Sequence, residues 1–355
     1  LIDACHKLGI DYVSFRHEQQ AAHAADAYFR VTHKLAVLNV HLSPGLTNAL
    51  TGVASAAGDG TPMVVITGNT PSYHHAREPH QGMRLHADAS QGDMYRPVCK
   101  RVWRIDDAKF LVDVMPRALN VAQTGRPGAV LLDVPMDVFS QHLDPPAQVM
   151  SSRRPAYRRP AAAADGIAEA VRLLQSAASP AIFAGNGTVL SEASAELRAL
   201  AELLSAPVAT TLMAKGIFPE DHPLACGMSG IWGTRVANAT LRTADVVLAI
   251  GTAFGEADCS SWRPVHTFAI PPTRLIQVDI DPQEIGKIYP VDIGLVGDAK
   301  TTLQQLVDGL RGARLDATTA TQRVNTLAEK RQNWDAEIAP TKRRSEEHTS
   351  ELQSL

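Results

Sequence analysis

Cysteine is scarce in this chain, aromatic residues are scarcer than usual, and no apolar run is long. The four cysteines among 355 residues, Cys5, Cys99, Cys226 and Cys259, lie far apart. That spacing favours buried or incidental thiols over a disulfide framework or a zinc site. Aromatic residues make up 5% of the chain, while Ala, Val and Leu supply much of the 45% that is hydrophobic. This balance suits helices laid over parallel strands. No stretch reaches the roughly 18 apolar residues that span a bilayer. The formal charge of −3 leaves no basic excess for nucleic acid or an anionic membrane surface. These limits predict a cytoplasmic protein of two globular domains that binds neither nucleic acid nor membrane.

What is present is an alternation of strands and helices. The stretch DYVSFRHEQQAAHAADAYFR (residues 11–30) has a β-prone run at Tyr12, Val13 and Phe15, and Glu18 then opens an Ala-rich helix. This predicts a carboxylate at the carboxyl end of a strand, where open α/β sheets bind ligands. A helix-start acid also has a plain explanation in the helix dipole. The apolar run LAVLNV (35–40) reads as a strand buried on both faces. It is followed by a loop at Ser43-Pro44-Gly45-Leu46-Thr47-Asn48 and a helix of small residues. Further strands are expected at 62–69, 100–105 and 128–135, with a helix at 107–124. The fold class is therefore α/β, with two Rossmann-like domains of parallel sheets flanked by helices.

The predicted boundaries are a first domain at 1–142, a Pro- and Arg-rich linker at 143–164 and a second domain at 165–312. Strands of the second domain are expected at 180–187, 207–212, 245–252, 274–281 and 292–298, with helices at 191–205 and 300–310. Residues 313–343 read as the start of a linker containing a polar helix. The tail at 344–355 reads as translated adapter sequence rather than native protein. The opening segment LIDACHKLGI resembles the later part of a helix, which implies an earlier strand upstream.

Several motifs can be weighed on spacing alone. His17 and His23 flank Glu18, but six residues apart they sit about 240° around a helix, which rules out a zinc-protease pair. No metal ligands are assigned on this chain. Gly185-Asn186-Gly187 after a strand is an incomplete nucleotide fingerprint, and a plain strand-to-helix turn explains it equally well. Gly58-Asp59-Gly60 reads as a turn before the next strand. His74, His75, His80 and His86, near Arg77, Glu78 and Gln81, form a polar stretch at a strand end that suits a substrate-facing loop.

Taken together, Arg16-His17-Glu18 with Ala21, Ala25-Asp26, Tyr28 and Arg30, then Ser43-Pro44-Gly45-Leu46-Thr47-Asn48 and PMVVITG at 62–68, resemble thiamine-diphosphate enzymes of the acetolactate synthase type. TGRPGAV at 124–130 running into Asp133-Val134-Pro135 extends the likeness. Lys215-Gly216, Glu220-Asp221-His222-Pro223, Gly233-Thr234-Arg235 and VDIDP at 278–282 carry it through the second unit to about Leu310.

The resemblance implies that Glu18 hydrogen-bonds the aminopyrimidine ring of thiamine diphosphate and promotes formation of the cofactor ylid. It also implies that Ser43, Pro44, Gly45 and Asn48 lie beneath that ring. A charge-assisted bond of this kind contributes roughly 1.5–3 kcal/mol. Gln81 would match a glutamine that faces the reaction centre, with Gly82 in place of the usual acid, and His80 would contact substrate or relay a proton. The implied substrate is a 2-oxo acid, and the implied assembly is a homodimer or homotetramer. Mg2+ would be held by a third, diphosphate-binding domain that this sequence lacks.

FAD is a further candidate on the second domain, with Gly185–Gly187 and Asp279–Asp281 as its contacts. Phe254-Gly255-Glu256-Ala257-Asp258 replaces the family's usual flavin-binding run. Two other readings stay open. One is a 2-oxo acid or acyl-CoA decarboxylase without carboligation. The other is a non-catalytic nucleotide-binding or assembly module.

Overall fold

A computed structural model describes residues 1–74, 77, 79–83, 90–143, 158–312 and 317–352. The chain divides into two compact units, residues 1–157 and 158–355. His75, Glu78 and His86 of the polar stretch, most of the 143–164 linker and residues 353–355 of the tail lie outside the described residues.

In the first unit, helix α1 (Ile2–Lys7) precedes α2 (Glu18–Thr32), β1 (Ala36–Val40), α3 (Leu42–Gly58) and β2 (Met63–Asn69). Then come β3 (Arg101–Arg104), α4 (Leu111–Gln123), β4 (Ala129–Pro135) and the short α5 (Met136–Phe139). The four strands form one parallel sheet in the order β1-β2-β4-β3. Every residue of β4 is buried, as a continuous apolar run covered on both faces requires. One face of this sheet packs Leu46, Val53, Val65 and Leu131 under α2 and α3. The other packs Val64, Leu132 and Ala118 under α4.

Two local expectations are corrected here. The run Tyr12–Phe15 forms no strand. Tyr12, Val13 and Phe15 are 41, 72 and 45% exposed and pair with no ladder, so Glu18 follows a coil. β-propensity without a neighbouring strand to supply hydrogen bonds is not enough. The expected loop at Ser43–Asn48 is instead the opening of α3, which starts at Leu42. Pro44 lies in the first turn, where a missing N–H removes no intrahelical bond.

The second unit holds α6 (Ala164–Ser176), β5 (Pro180–Ala184), α7 (Asn186–Leu190), α8 (Ser194–Leu204), β6 (Val208–Thr210), β7 (Ala225–Met228) and α9 (Arg235–Thr243). It continues through β8 (Val246–Ile250), β9 (Arg274–Asp279), β10 (Ile293–Val296), α10 (Ala299–Leu310) and α11 (Ala317–Leu352). Its six parallel strands run β10-β9-β8-β5-β6-β7, the doubly wound order of a dinucleotide-binding sheet. Both units are thus parallel sheets flanked by helices. The strand β7 escaped the sequence reading because ACGM is short and holds a glycine at positive φ. Helix α11 crosses from the expected linker into the expected tail without a break. The Arg323 guanidinium in α11 donates to the carbonyls of Ala177, Ala178 and Leu204, where α6 and α8 end.

Candidate functional site

The first unit places Glu18 by a close helix crossing. A Cβ on Gly52 of α3 would stand 2.5 Å from the Ala22 Cβ of α2, so the two backbones touch there. One turn back along α2, and one and two turns back along α3, this contact sets Glu18 against Asn48 and Gly45. The Asn48 Nδ2 donates to Glu18 Oε2 at 3.1 Å. A Cβ on Gly45 would lie 3.3 Å from Glu18 Oε1 and 3.4 Å from the Val40 Cβ. Glycine therefore lets the α3 backbone come close to one carboxylate oxygen. Glu18 itself is half-buried.

The start of α2 is capped by His17, whose Nδ1 accepts from the Gln19 N–H at 3.2 Å. That role accounts for His17 without a metal. Among the described residues no group of three His, Cys, Asp or Glu is placed to hold one. Lower on α2, Arg30 makes paired 3.0 Å bonds to the buried Asp26 carboxylate and also bonds Asp59. The two carboxylates, Asp26 first, raise the Arg30 pKa. The Thr61 hydroxyl donates to Asp26 at 2.7 Å. These bonds clamp α2 to the Gly58–Thr61 turn, so Gly58-Asp59-Gly60 acts as a structural corner.

Backbone strain gathers beside this contact. Leu42, the first residue of α3, has φ of +52°, and Gln81 has φ of +63°. Such conformations cost a non-glycine residue on the order of 1–3 kcal/mol. The structure leaves His80 and Gln81 exposed, on a segment tied to α3 by the Met83 N–H, which donates to Ser43 Oγ at 3.1 Å. Pro44 is exposed in the first turn of α3, and its carbonyl accepts from the Thr47 hydroxyl. Glu18, Gly45 and Asn48 are brought together directly. Ser43 is buried behind them, with its hydroxyl donating to Gln91 Oε1 at 2.8 Å.

Three further polar residues at this sheet edge were given no role by the sequence reading. Gln91, Asn69 and Asp133 are buried at the carboxyl ends of β2 and β4 and on the 3₁₀ turn Gln91–Tyr95. Asn69 Nδ2 donates to both Asp133 oxygens, at 2.9 and 3.0 Å, and Gln91 Nε2 donates to Asp133 Oδ1 at 2.9 Å. Burial pushes the Asp133 carboxyl up, against the pull of these two amides. The signal available was a lone acid in the otherwise apolar strand AVLLDVP. Beside these residues a polar pocket is lined by Asn69, Ser72, His74, Arg77, Gln91 and Arg104.

In the second unit the turns after β5 and β8 meet backbone against backbone. A Cβ on Gly185 would stand 2.3 Å from the Gly251 carbonyl oxygen, at the point where the strand order reverses. The N–H groups of Gly185 and Gly187 already donate to the carbonyls of Ile250 and Gly251. Asp279 and Asp281 accept from the N–H groups of Asp281 and Gln283. The flavin contacts expected at Gly185–Gly187 and Asp279–Asp281 are thus engaged within the chain.

Comparison with known proteins agrees with this division. Residues 1–90 match the family described as the thiamine pyrophosphate enzyme N-terminal TPP binding domain, and residues 167–306 match the thiamine pyrophosphate enzyme central domain. A probable acetolactate synthase large subunit of Methanococcus aeolicus is 39% identical over 311 residues, 87% of this chain and 50% of that protein. The acetolactate synthase large subunit of Corynebacterium glutamicum is 37% identical over 325 residues, 90% of this chain and 49% of the relative. The chain spans about half the length of the curated relatives it matches. With one match in each unit, the chain belongs to the thiamine pyrophosphate enzymes and carries their N-terminal and central domains.

Proposed function

We propose that the chain is the pyrimidine-binding and central part of an acetolactate synthase-like enzyme. Such an enzyme decarboxylates a 2-oxo acid and transfers the product to a second carbonyl. The observation that carries this reading is the Glu18 carboxylate, held by Asn48 and closely approached by the Gly45 backbone. The donor set fits a planar aminopyrimidine, which needs a carboxylate at one ring nitrogen and close backbone approach.

In this reading Glu18 Oε1 holds a proton at that nitrogen, and Asn48 fixes the rotation of the carboxylate by bonding Oε2. The half-buried setting strengthens the contact, because fewer waters compete for the carboxylate. The missing side chain at Gly45 admits the ring, and Val40 supplies an apolar contact beneath it. Bound thiamine diphosphate supplies the electron sink for loss of carbon dioxide. Gln81 and His80, on the exposed segment tied to Ser43, face the substrate side. Mg2+ and the diphosphate belong with residues in the half of the relatives that this chain does not match.

The working assembly is a homodimer or homotetramer in the cytoplasm. Four free thiols suit that reducing compartment. No helix of the described residues is long and apolar enough to cross a membrane.

The test is Glu18→Gln in the holoenzyme. The fold and thermal midpoint should be retained, while exchange of the thiazolium ring proton and turnover of 2-oxo acid fall by at least about a hundredfold, the scale of a lost proton-transfer role. Exchange at the wild-type rate would return Glu18 to an ordinary helix-start charge.

A further inference from the structure

A chain of buried hydrogen bonds runs from the sheet to the segment that bears Gln81. Asp133 is 1% exposed, and Gln91 and Ser43 are each 3% exposed. Ionised, Asp133 can only accept, and so can the Gly68 carbonyl, which takes a second bond from Gln91 Nε2 at 2.8 Å. The Gln91 amide must therefore turn its nitrogen to these two groups and its oxygen to Ser43. The one proton of the Ser43 hydroxyl then goes to Gln91, and its oxygen is left to accept the Met83 N–H. Every donor and acceptor along this line has one consistent assignment. A fully satisfied buried network specifies a single arrangement.

The anchoring of Gln91 is independent of the loop. Its 3₁₀ turn opens with a reciprocal cap between Ser90 and Asp93, and the buried Tyr95 hydroxyl donates to the Leu46 carbonyl of α3 at 2.6 Å. Gly92 sits where a Cβ would meet the Val102 side chain at 3.1 Å, so the turn is pressed against β3. Gln91 is thus held from behind by α3 and the sheet while its amide reaches forward to Ser43.

We propose that Gln91, oriented by Asp133, is a positioning residue. Through Ser43 it holds residues 79–83, with Gln81, against the first turn of α3, whose Gly45 and Asn48 face Glu18. Its bearing on the reaction rests on the thiamine-diphosphate reading above. On this view the Ser43 hydroxyl serves the protein, since its one proton goes to Gln91 and its oxygen accepts the Met83 N–H.

The experiment has two arms. In the 355-residue chain, amide hydrogen exchange is followed for Ser43→Ala and Gln91→Met. The Met83 amide should exchange roughly tenfold faster in both, with the Val65 and Leu131 amides of the sheet unchanged. Unchanged Met83 exchange overturns the proposal, and so does an equal rise at Leu131, which would mean general loosening. In the holoenzyme, Gln91→Met should lower kcat about tenfold while KM for the 2-oxo acid stays within about twofold. An unaltered kcat beside a loosened Met83 would overturn the link to catalysis. Glu18→Gln should leave Met83 exchange at its wild-type rate, so failure of the cofactor reading appears in its own assay and not in this one.

Discussion

The carboxyl edges of the two sheets are finished in opposite ways. At the end of β2 and β4 the first unit buries Asn69, Asp133, Gln91 and Ser43 in one bonded line and sets the Glu18 carboxylate against Asn48 and Gly45. At the end of β5 and β8 the second unit presses Gly185 and Gly187 onto Gly251 and Thr252, backbone against backbone. Beneath it lies an aromatic cluster of Phe183, Phe254, Phe268 and Tyr289, with ring centroids 5.2–5.8 Å apart. Both edges stand where doubly wound sheets commonly bind ligands. On the proposed reading, the same position in two related architectures serves chemistry in one and packing in the other.

The sharpest way to break this contrast is to add a single methyl group in each unit. Gly230 has φ of +88°, and a Cβ there would lie 1.9 Å from the Ala257 carbonyl oxygen. Gly230→Ala should cost more than about 4 kcal/mol, because backbone cannot withdraw as a side chain can. Urea unfolding followed by tryptophan fluorescence would show it through Trp232, Trp262 and Trp334. A midpoint near wild type would mean that the second unit's edge is looser than its contacts imply. In the first unit, Gly52→Ala should cost about 1–3 kcal/mol by overpacking against Ala22, less up to about 1 kcal/mol of gained helix propensity. Because that crossing sets the Glu18–Asn48 distance, cofactor affinity should fall with stability.

The difference between the units also bears on what a sequence makes legible. Strands buried on both faces, such as AVLLDVP and VVLAI, announce themselves as apolar runs, so most of both sheets can be read directly. Edges and corners cannot. Ser43-Pro44-Gly45 has the composition of a loop yet opens a helix, because a first turn tolerates all three residues. Tyr12–Phe15 has the composition of a strand yet lies in coil, because a ladder depends on a neighbour distant in sequence. Of the site, Glu18, Gly45 and Asn48 were accessible through their resemblance to a known pattern. Gln91 and Asn69 have no spacing signature, because their partners come from other strands. Asp133 alone carried a local clue, a charge inside a run that otherwise must be apolar.

That buried charge gives the first unit a pH dependence that its neighbours oppose. Burial raises the Asp133 pKa above its unfolded value, so the folded state binds the extra proton. The stability that protonation contributes is present below the ordinary carboxylate value of about 3.9 and is lost as pH rises toward the raised folded value. Asp137 behaves in the opposite sense. The Ser72 hydroxyl and N–H bond its carboxylate and lower its pKa, so its contribution is lost as pH falls. Asp133→Asn should remove only the first effect. Relative to wild type, its thermal midpoint should rise as pH increases above about 4. A constant offset across that range would mean that Asp133 titrates alike in the folded and unfolded chains.

The smallest effect is expected where the cofactor reading is most local. Asn48 is exposed, so losing its bond to Glu18 should cost at most about 1 kcal/mol. Alanine at this helical position returns up to about 0.7 kcal/mol of propensity. Asn48→Ala should therefore melt within a few degrees of wild type, since a shift of ~0.5 kcal/mol moves a domain of this size by only about 1–2 °C. Asn48→Asp should be equally stable to within that margin but should place a second carboxylate against Glu18. Like charges at hydrogen-bonding distance raise the proton affinity of both groups. Thiamine diphosphate binding should then weaken most in Asn48→Asp, less in Asn48→Ala, and regain strength in Asn48→Gln if the longer amide still reaches Glu18. Equal affinities across the three variants would separate Asn48 from the carboxylate it bonds, and would leave Gly45 as the feature that distinguishes this edge from its counterpart.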